Sequence, residues 1–248
     1  STFQSTSKTG FGRIVASVLN NSYAVTSDTT ILYVDSGEAI SLEILPASPD
    51  NEIMVIGGGD QESAQIAVEV RDGNGNIVNQ EYRVVFTIPC PYPIDGPFCP
   101  AGDGDFTNDL KINGIIVDPN YPSIPTDTVE TVNGTATITL NSGNMPGSVQ
   151  LRAELYSLED NTYSNMIASA EEIPITIVTG PPSYGVVGYS FADADTIGGG
   201  LQVMPISCML WDIWSNPVAD CTNVWYSVDP AEAAVIIGEA QTGNQNPT

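Results

Sequence analysis

The sequence contains no histidine. That absence removes Ser-His-Asp and Cys-His nucleophile chemistry, imidazole metal ligands and the usual proton shuttle near neutral pH. Basic residues are scarce as well. Lys8, Arg13, Arg71, Arg83, Lys111 and Arg152 are the six, scattered through 248 residues and facing 30 acidic ones. The formal net charge of -24 opposes nucleic acid, whose affinity comes largely from Lys and Arg on phosphates. It equally opposes anionic membrane surfaces. No apolar run approaches the roughly 20 residues of a membrane-spanning helix, so membrane insertion is not expected. A long amphipathic helix is missing too; the nearest candidates, 167–172 and 231–234, are too short. The first ten residues carry neither an initiator Met nor an apolar signal core, so we read the chain as a processed product or part of something longer.

What is present is uncharged polarity and alternation. Apolar residues make up 42% of the chain, enough for a packed core, while only 15% are charged. Abundant Ser, Thr, Asn, Gly and Pro with few lysines suit an extracellular surface. The apolar period is two almost throughout, the mark of half-buried strands. Ile66, Val68 and Val70 alternate with Gln65, Ala67 and Glu69, and Val84, Phe86 and Ile88 with Arg83, Val85 and Thr87. Ala136, Ile138 and Leu140 follow the same rule, then Val149, Leu151 and Ala153, then Ile173, Ile175 and Ile177. Turn residues punctuate these stretches at Asp72-Gly73-Asn74-Gly75-Asn76, Asn141-Ser142-Gly143-Asn144 and Gly180-Pro181-Pro182. Many short strands between polar turns predict an all-β sandwich architecture.

The chain also repeats. Shifted by 140 residues, Gly58-Gly59 falls on Gly198-Gly199, Ile66 on Ile206, Asp72 on Asp212, Asn76 on Asn216 and Val78 on Val218. Val84-Val85-Phe86-Thr87-Ile88 then lands on Val224-Trp225-Tyr226-Ser227-Val228 with its alternation intact. Near the start, Gly12, Ile14, Ala16 and Val18 resemble Gly134, Ala136, Ile138 and Leu140, and Ile31 to Val34 resemble Ile175 to Val178. Three parts follow: closing strands of one sandwich in 1–39, a complete sandwich in 40–182 with an insertion at 89–130, and opening strands of a third in 183–248.

These motifs resemble bacterial immunoglobulin-like repeats of the invasin and intimin type. Their opening segment reads strand, Asp, a Gly/Asn turn, Asn-Pro-Val, strand. Val68 to Val78 and Leu210 to Val218 follow that order, and Gly134 to Leu140 and Gly147 to Ala153 match the closing half. The resemblance implies tandem immunoglobulin-like antiparallel sandwiches in an extracellular spacer or adhesion array. It implies no chemistry, because a fold hosts many roles. The insertion and the cysteines depart from the pattern.

Several residues could carry more than structure. Asp103, Asp105, Asn108 and Asp109 space oxygen ligands around Gly104 as calcium loops do. Leu110 and Ile116 stand where a turn glycine and a final carboxylate belong, so a solvated acidic loop is the competing reading. Cys90 and Cys99 suit a local disulfide across the insertion, and Cys208 with Cys221 is the second expected pair. Strand parity puts the last two on opposite faces, so that bridge needs a bulge. Trp211, Trp214 and Trp225 crowd the final segment as either an interface or a glycan platform. The triple glycines at 57–59 and 198–200 lack the Lys and helix of a phosphate loop. Asn20-Asn21-Ser22 and Asn133-Gly134-Thr135 are glycosylation sequons. No carboxylate pair or serine sits in a catalytic signature, so no catalytic residue is assigned and an enzyme is not expected.

One physical problem remains. Ile206, Leu210, Val224, Tyr226 and Val228 should form one uncovered apolar face, and Ile14, Ala16, Val18, Ile31 and Tyr33 another. Open faces and edges cost free energy and invite pairing. The expectation is a non-catalytic repeat of an extracellular surface protein or filament, its half-domains completed head to tail by other copies or neighbouring repeats. The alternatives are ends that merely mark where a longer chain was divided, and an adhesion module whose exposed tryptophans bind glycan.

Overall fold

The computed structural model describes residues 2–19, 25–88, 110–115, 126–171, 175–232, 234–236 and 239–243. Every regular element among them is a strand. The first two, β1 (Gly10–Leu19) and β2 (Val25–Val34), form an antiparallel hairpin with Gly10 opposite Val34.

The central sandwich follows. It contains β3 (Ala39–Ile44), β4 (Glu52–Met54), β5 (Ser63–Asp72), β6 (Tyr82–Thr87), β7 (Lys111–Ile112) and β8 (Thr126–Glu130). It continues with β9 (Thr135–Asn141), β10 (Gly147–Val149), β11 (Arg152–Ser157), β12 (Ala168–Glu171) and β13 (Ile175–Val178). One sheet runs β3-β5-β9-β7, another β12-β11-β6-β8, and β10-β13-β4 form a third, three-stranded sheet. All neighbours are antiparallel except β4 and β13, which are parallel. The topology is that of an immunoglobulin-like sandwich.

Alternation builds this core. In β5 the buried residues are Ala64, Ile66, Val68, Val70 and Asp72, and in β6 they are Tyr82, Val84 and Phe86. Ile138, Leu140, Ala153, Leu155, Ile175 and Ile177 meet them from facing strands, each at most 1% exposed. A fully buried aliphatic or aromatic side chain of this kind contributes about 1.5–3 kcal/mol. Two stretches inside the span 89–130 belong to the sheets. Lys111–Ile112 pairs with β9, and Thr126–Glu130 pairs with β6.

The last segment holds β14 (Tyr184–Tyr189), β15 (Asp195–Gly198), β16 (Leu201–Val203), β17 (Ile206–Trp211), β18 (Asn223–Trp225) and β19 (Glu239–Gln241). They pair only two by two: β14 with β17, β15 with β16, and β18 with β19. The repeat explains the choice of partners. β17 takes β14 as β5 takes β3, and β18 takes β19 as β6 takes β8.

One detail of the first hairpin corrects the sequence reading. Gly12 to Val18 lie in β1, paired antiparallel with β2, and the register divides the expected apolar face. Ile31 and Tyr33 stand opposite Arg13 and Phe11, whereas Ile14, Ala16 and Val18 stand opposite Thr30, Asp28 and Thr26 on the other side. Apolar groups are therefore exposed on both faces, with Phe11 77% and Tyr33 74% accessible. A two-stranded hairpin exposed in this way is marginal on its own.

Candidate functional site

The repeated Asp/Asn turn is where the chain brings distant segments together. Between β5 and β6 the backbone closes on itself: the Asp72 amide donates to the Asn76 carbonyl (2.9 Å) and the Gly75 amide to the Asp72 carbonyl (3.0 Å). Gly75 sits at φ 80°, a conformation that glycine adopts without steric cost. The Asp72 carboxylate then fills the turn. Its Oδ1 accepts from the amides of Asn74 and Asn76, both at 2.9 Å, and its Oδ2 accepts from Asn76 Nδ2 at 3.0 Å. Asp and Asn favour such turns because their short polar side chains bond nearby backbone.

The same carboxylate reaches beyond its turn. Asp72 Oδ2 accepts from the Gly37 amide (2.8 Å), in the link between β2 and β3. Asn76 Nδ2 also donates to the Ser7 carbonyl (2.8 Å), just before β1. One Asp and one Asn thus clasp the hairpin, the link and the central sandwich.

The second copy repeats the device 140 residues on. Asp212 Oδ1 accepts from the amides of Trp214 (2.8 Å) and Asn216 (2.9 Å). Its Oδ2 accepts from Asn216 Nδ2 (2.9 Å) and from the Gly180 amide (3.1 Å) in the link between β13 and β14. Asn216 Nδ2 donates in turn to the Asn144 carbonyl (2.8 Å), just before β10. Ser7 lies just ahead of β1 and Asn144 just ahead of β10. Asp212 is fully buried, its charge balanced by four N–H donors.

Hydrogen bonds also set the ionisation of Asp72. Asn76 Nδ2 and then the Gly37 amide hold its carboxyl far below the usual carboxylate range. The Asn165 amide, followed by the hydroxyl and amide of Thr162, lowers Asp160 in the loop after β11. A depressed folded-state pKa gives stability that is complete above the unfolded value of about 3.9 and is lost as pH falls through the folded value. The urea midpoint is therefore expected to fall in acid, starting at about pH 4. Asp72→Ala should have a lower midpoint at neutral pH and a shallower acid decline, with Asp160 supplying what slope remains. An unaltered acid decline in the variant would show that the Asp72 clasp does not couple to folding.

The other sequence candidates fall in different places. Asp103, Asp105, Asn108, Asp109, Cys90 and Cys99 lie outside the described residues. Among the described residues no group of three or more acidic, Cys or His side chains converges as a metal site would require. The expected Cys208–Cys221 bridge is not formed; both thiols are free. Cys208 lies beside Tyr226, whose hydroxyl is raised above its ordinary pKa by burial and then by that thiol. Cys221 sits exposed in a left-handed turn at φ 66°. The predicted parity conflict is thus left unresolved by any bulge.

The three tryptophans do not form one platform. Trp214 packs against the central core and donates Nε1 to the Ile56 carbonyl (2.5 Å). Trp211 stacks on Tyr184 across the β14–β17 ladder, centroids 5.4 Å apart at 20°. Trp225 is exposed and donates Nε1 to Glu239 Oε1 (3.1 Å). At the positions of Tyr184, Trp211 and Met209, the central sandwich carries Ser41, Arg71 and Glu69, with Arg71 paired to Glu43 and Glu69.

Compared with known proteins, the chain matches no family model and no curated protein. Solved structures are similar to it only distantly. The Escherichia coli adhesin FdeC is 11% identical at TM-score 0.39, over 87% of this chain and 66% of that one. A family 2 glycosyl hydrolase from Bacteroides cellulosilyticus is 20% identical at TM-score 0.33, over 67% of this chain and 17% of that one. A conjugative transposon lipoprotein from Bacteroides eggerthii is 15% identical at TM-score 0.28, over 53% of this chain and 92% of that one. The chain thus spans only a small part of the hydrolase it resembles.

Proposed function

We propose that this chain is a non-catalytic stretch of an extracellular structural or adhesive array of immunoglobulin-like sandwiches. In this reading its two end segments are completed by strands of an adjoining copy or of neighbouring repeats. One observation supports the proposal: the end segments pair in patterns that would complement each other. β14, β17, β18 and β19 pair as β3, β5, β6 and β8 do, while β1 and β2 pair as β10 and β13 do. Set side by side, β2, β1, β18 and β19 would make a four-stranded antiparallel sheet of the size of β12-β11-β6-β8.

Physical chemistry supports the same reading. Val187, Tyr189 and Ile206 share the inward side of the β14–β17 ladder and remain accessible, as do Phe11, Ile31 and Tyr33 on the hairpin. Burying such area against new strands gains about 25 cal/mol per Å², and unpaired edges supply ready backbone partners. A head-to-tail contact of this type does not close on itself and so extends indefinitely. The charge of -24 would keep the array soluble and limit indiscriminate association.

Sedimentation velocity with negative-stain microscopy tests the proposal. Species growing with concentration well beyond 26.2 kDa, seen as rods, are expected. A monomer at every concentration, with β1 and β2 amides protected from exchange, would overturn it.

A second reading rests on the outward Tyr184–Trp211 stack, since flat aromatics exposed in this way bind sugar rings. Loss of glycan-array binding in Trp211→Ala, with Trp214→Ala unaffected, would favour that reading.

A further inference from the structure

The two clasps share a frame and differ at the three positions between Asp and Asn, the last of them Gly75 in the first and Ser215 in the second. The turn in the second clasp carries Ile213 and Trp214, where the first carries Gly73 and Asn74. Trp214 spans the joint: its ring lies against the core of the central sandwich and its Nε1 bonds the Ile56 carbonyl. Ile213 lies so near Gly57 that a Cβ added there would stand 2.8 Å from Ile213 Cδ1. Gly180 lies in ordinary van der Waals contact with both sides of the joint, since a Cβ there would stand 3.4 Å from Gly58 Cα and from Asp212 Cβ. Ile213 stays half exposed, but Gly180 and Asp212 are buried and Trp214 is partly buried against the core, so the joint is closed on its inner side.

Nothing comparable fills the first joint. Gly73 has no side chain, Asn74 is exposed, and the Asn76 contacts to Ser7 and Thr9 are open to solvent. Water competes freely with exposed polar contacts, so their net contribution is small. Local opening is favoured where apolar contacts are few and backbone hydrogen bonds are exposed.

We propose that the joint ahead of β14 is locked and the joint ahead of β3 is a hinge, with Trp214 the residue that sets them apart. The inference goes beyond the completion of the end segments and does not require it. Where copies do join, locked and hinged joints alternate along the array.

Amide hydrogen exchange at single-residue resolution on the full chain tests this, comparing Gly37 with Gly180 in the native protein and in Trp214→Asn. The Gly180 amide should exchange at least about tenfold more slowly than that of Gly37. Trp214→Asn should erase that difference while leaving Ile66 and Ile138 in the sandwich core unchanged. Three results would overturn the proposal. Gly37 could prove as slow as Gly180, or the variant could leave Gly180 as slow as before. Alternatively, Ile66, Ile138 and Gly180 could all accelerate by the same factor, which would make Trp214 a residue of the sandwich rather than of the joint. The comparison of Gly180 between native protein and variant reads the same for joined and separate copies, so it stands apart from the sedimentation test.

Discussion

Asp212→Ala is expected to free the segment after β13 from the central sandwich. The buried Asp212 carboxylate accepts from the Gly180 amide in a buried contact and from the amides of Trp214 and Asn216 and Asn216 Nδ2 in part-buried ones. Alanine replaces none of these acceptors. A buried donor without a partner costs about 1–3 kcal/mol, so even two of the four imply roughly a hundredfold rise in opening of the joint. Faster exchange at Gly180 and Asn216, with the core of β5 and β9 still protected, is the expected signature. A variant that keeps native exchange at Gly180 would mean that packing by Trp214 alone holds the joint.

The second large effect belongs to the turn between β8 and β9. Val132 and Thr135 bond each other through both backbone groups, with Asn133 at φ 52° and Gly134 at φ 76° between them. Two left-handed residues in a two-residue loop define a type I′ turn, for which Asn-Gly is the favoured pair. A Cβ on Gly134 would lie 2.4 Å from both the Val78 carbonyl oxygen and Ile77 Cγ2. The first of these neighbours is backbone and cannot swing aside, and the Gly134 carbonyl itself accepts from the Val70 amide at 2.8 Å. Gly134→Ala is expected to destabilise the sandwich by about 3 kcal/mol or more, from left-handed strain and displaced backbone together. Urea unfolding at constant m-value measures it. A loss under about 1 kcal/mol would show that the turn rearranges cheaply.

The strands of the sandwich were largely legible because alternation is a local property. Ile66, Val68 and Val70 announce a buried face with no knowledge of their partners. β8 escaped notice because Thr126-Asp127-Thr128-Val129-Glu130 presents a single apolar side chain; as the outermost strand beside β6, it has only that one to tuck in. The counterpart of the hairpin is hard to read from sequence for a related reason. Spaced Gly and β-branched residues recur in every strand of such a fold, and only the pairing register separates the place of β10 from that of β9.

The clasps were half visible. The turn and its recurrence at Asp212 and Asn216 could be read directly. No local period shows that a carboxylate at 72 will meet an amide at 37, since that contact exists only once the strands are laid side by side. A usable signal was present nevertheless. Asp72 continues the buried parity of Val68 and Val70, and an ionised residue on the inward side of a strand needs polar partners from somewhere. Trp214 was harder to place, because an aromatic side chain in a turn carries no periodic information and its acceptor lies on the far side of the joint.

The parallel pairing of β4 with β13, the one such pair among the described residues, has a consequence for a chain under tension. β4 and β13 point the same way, tied by the Thr176 amide to the Asn51 carbonyl and by the Val55 amide to the Val178 carbonyl. Pulling on the chain ahead of β3 and beyond β13 therefore drags these strands past each other lengthwise. Their hydrogen bonds must yield together in shear, whereas an antiparallel pair held at the same two points would peel open one bond at a time.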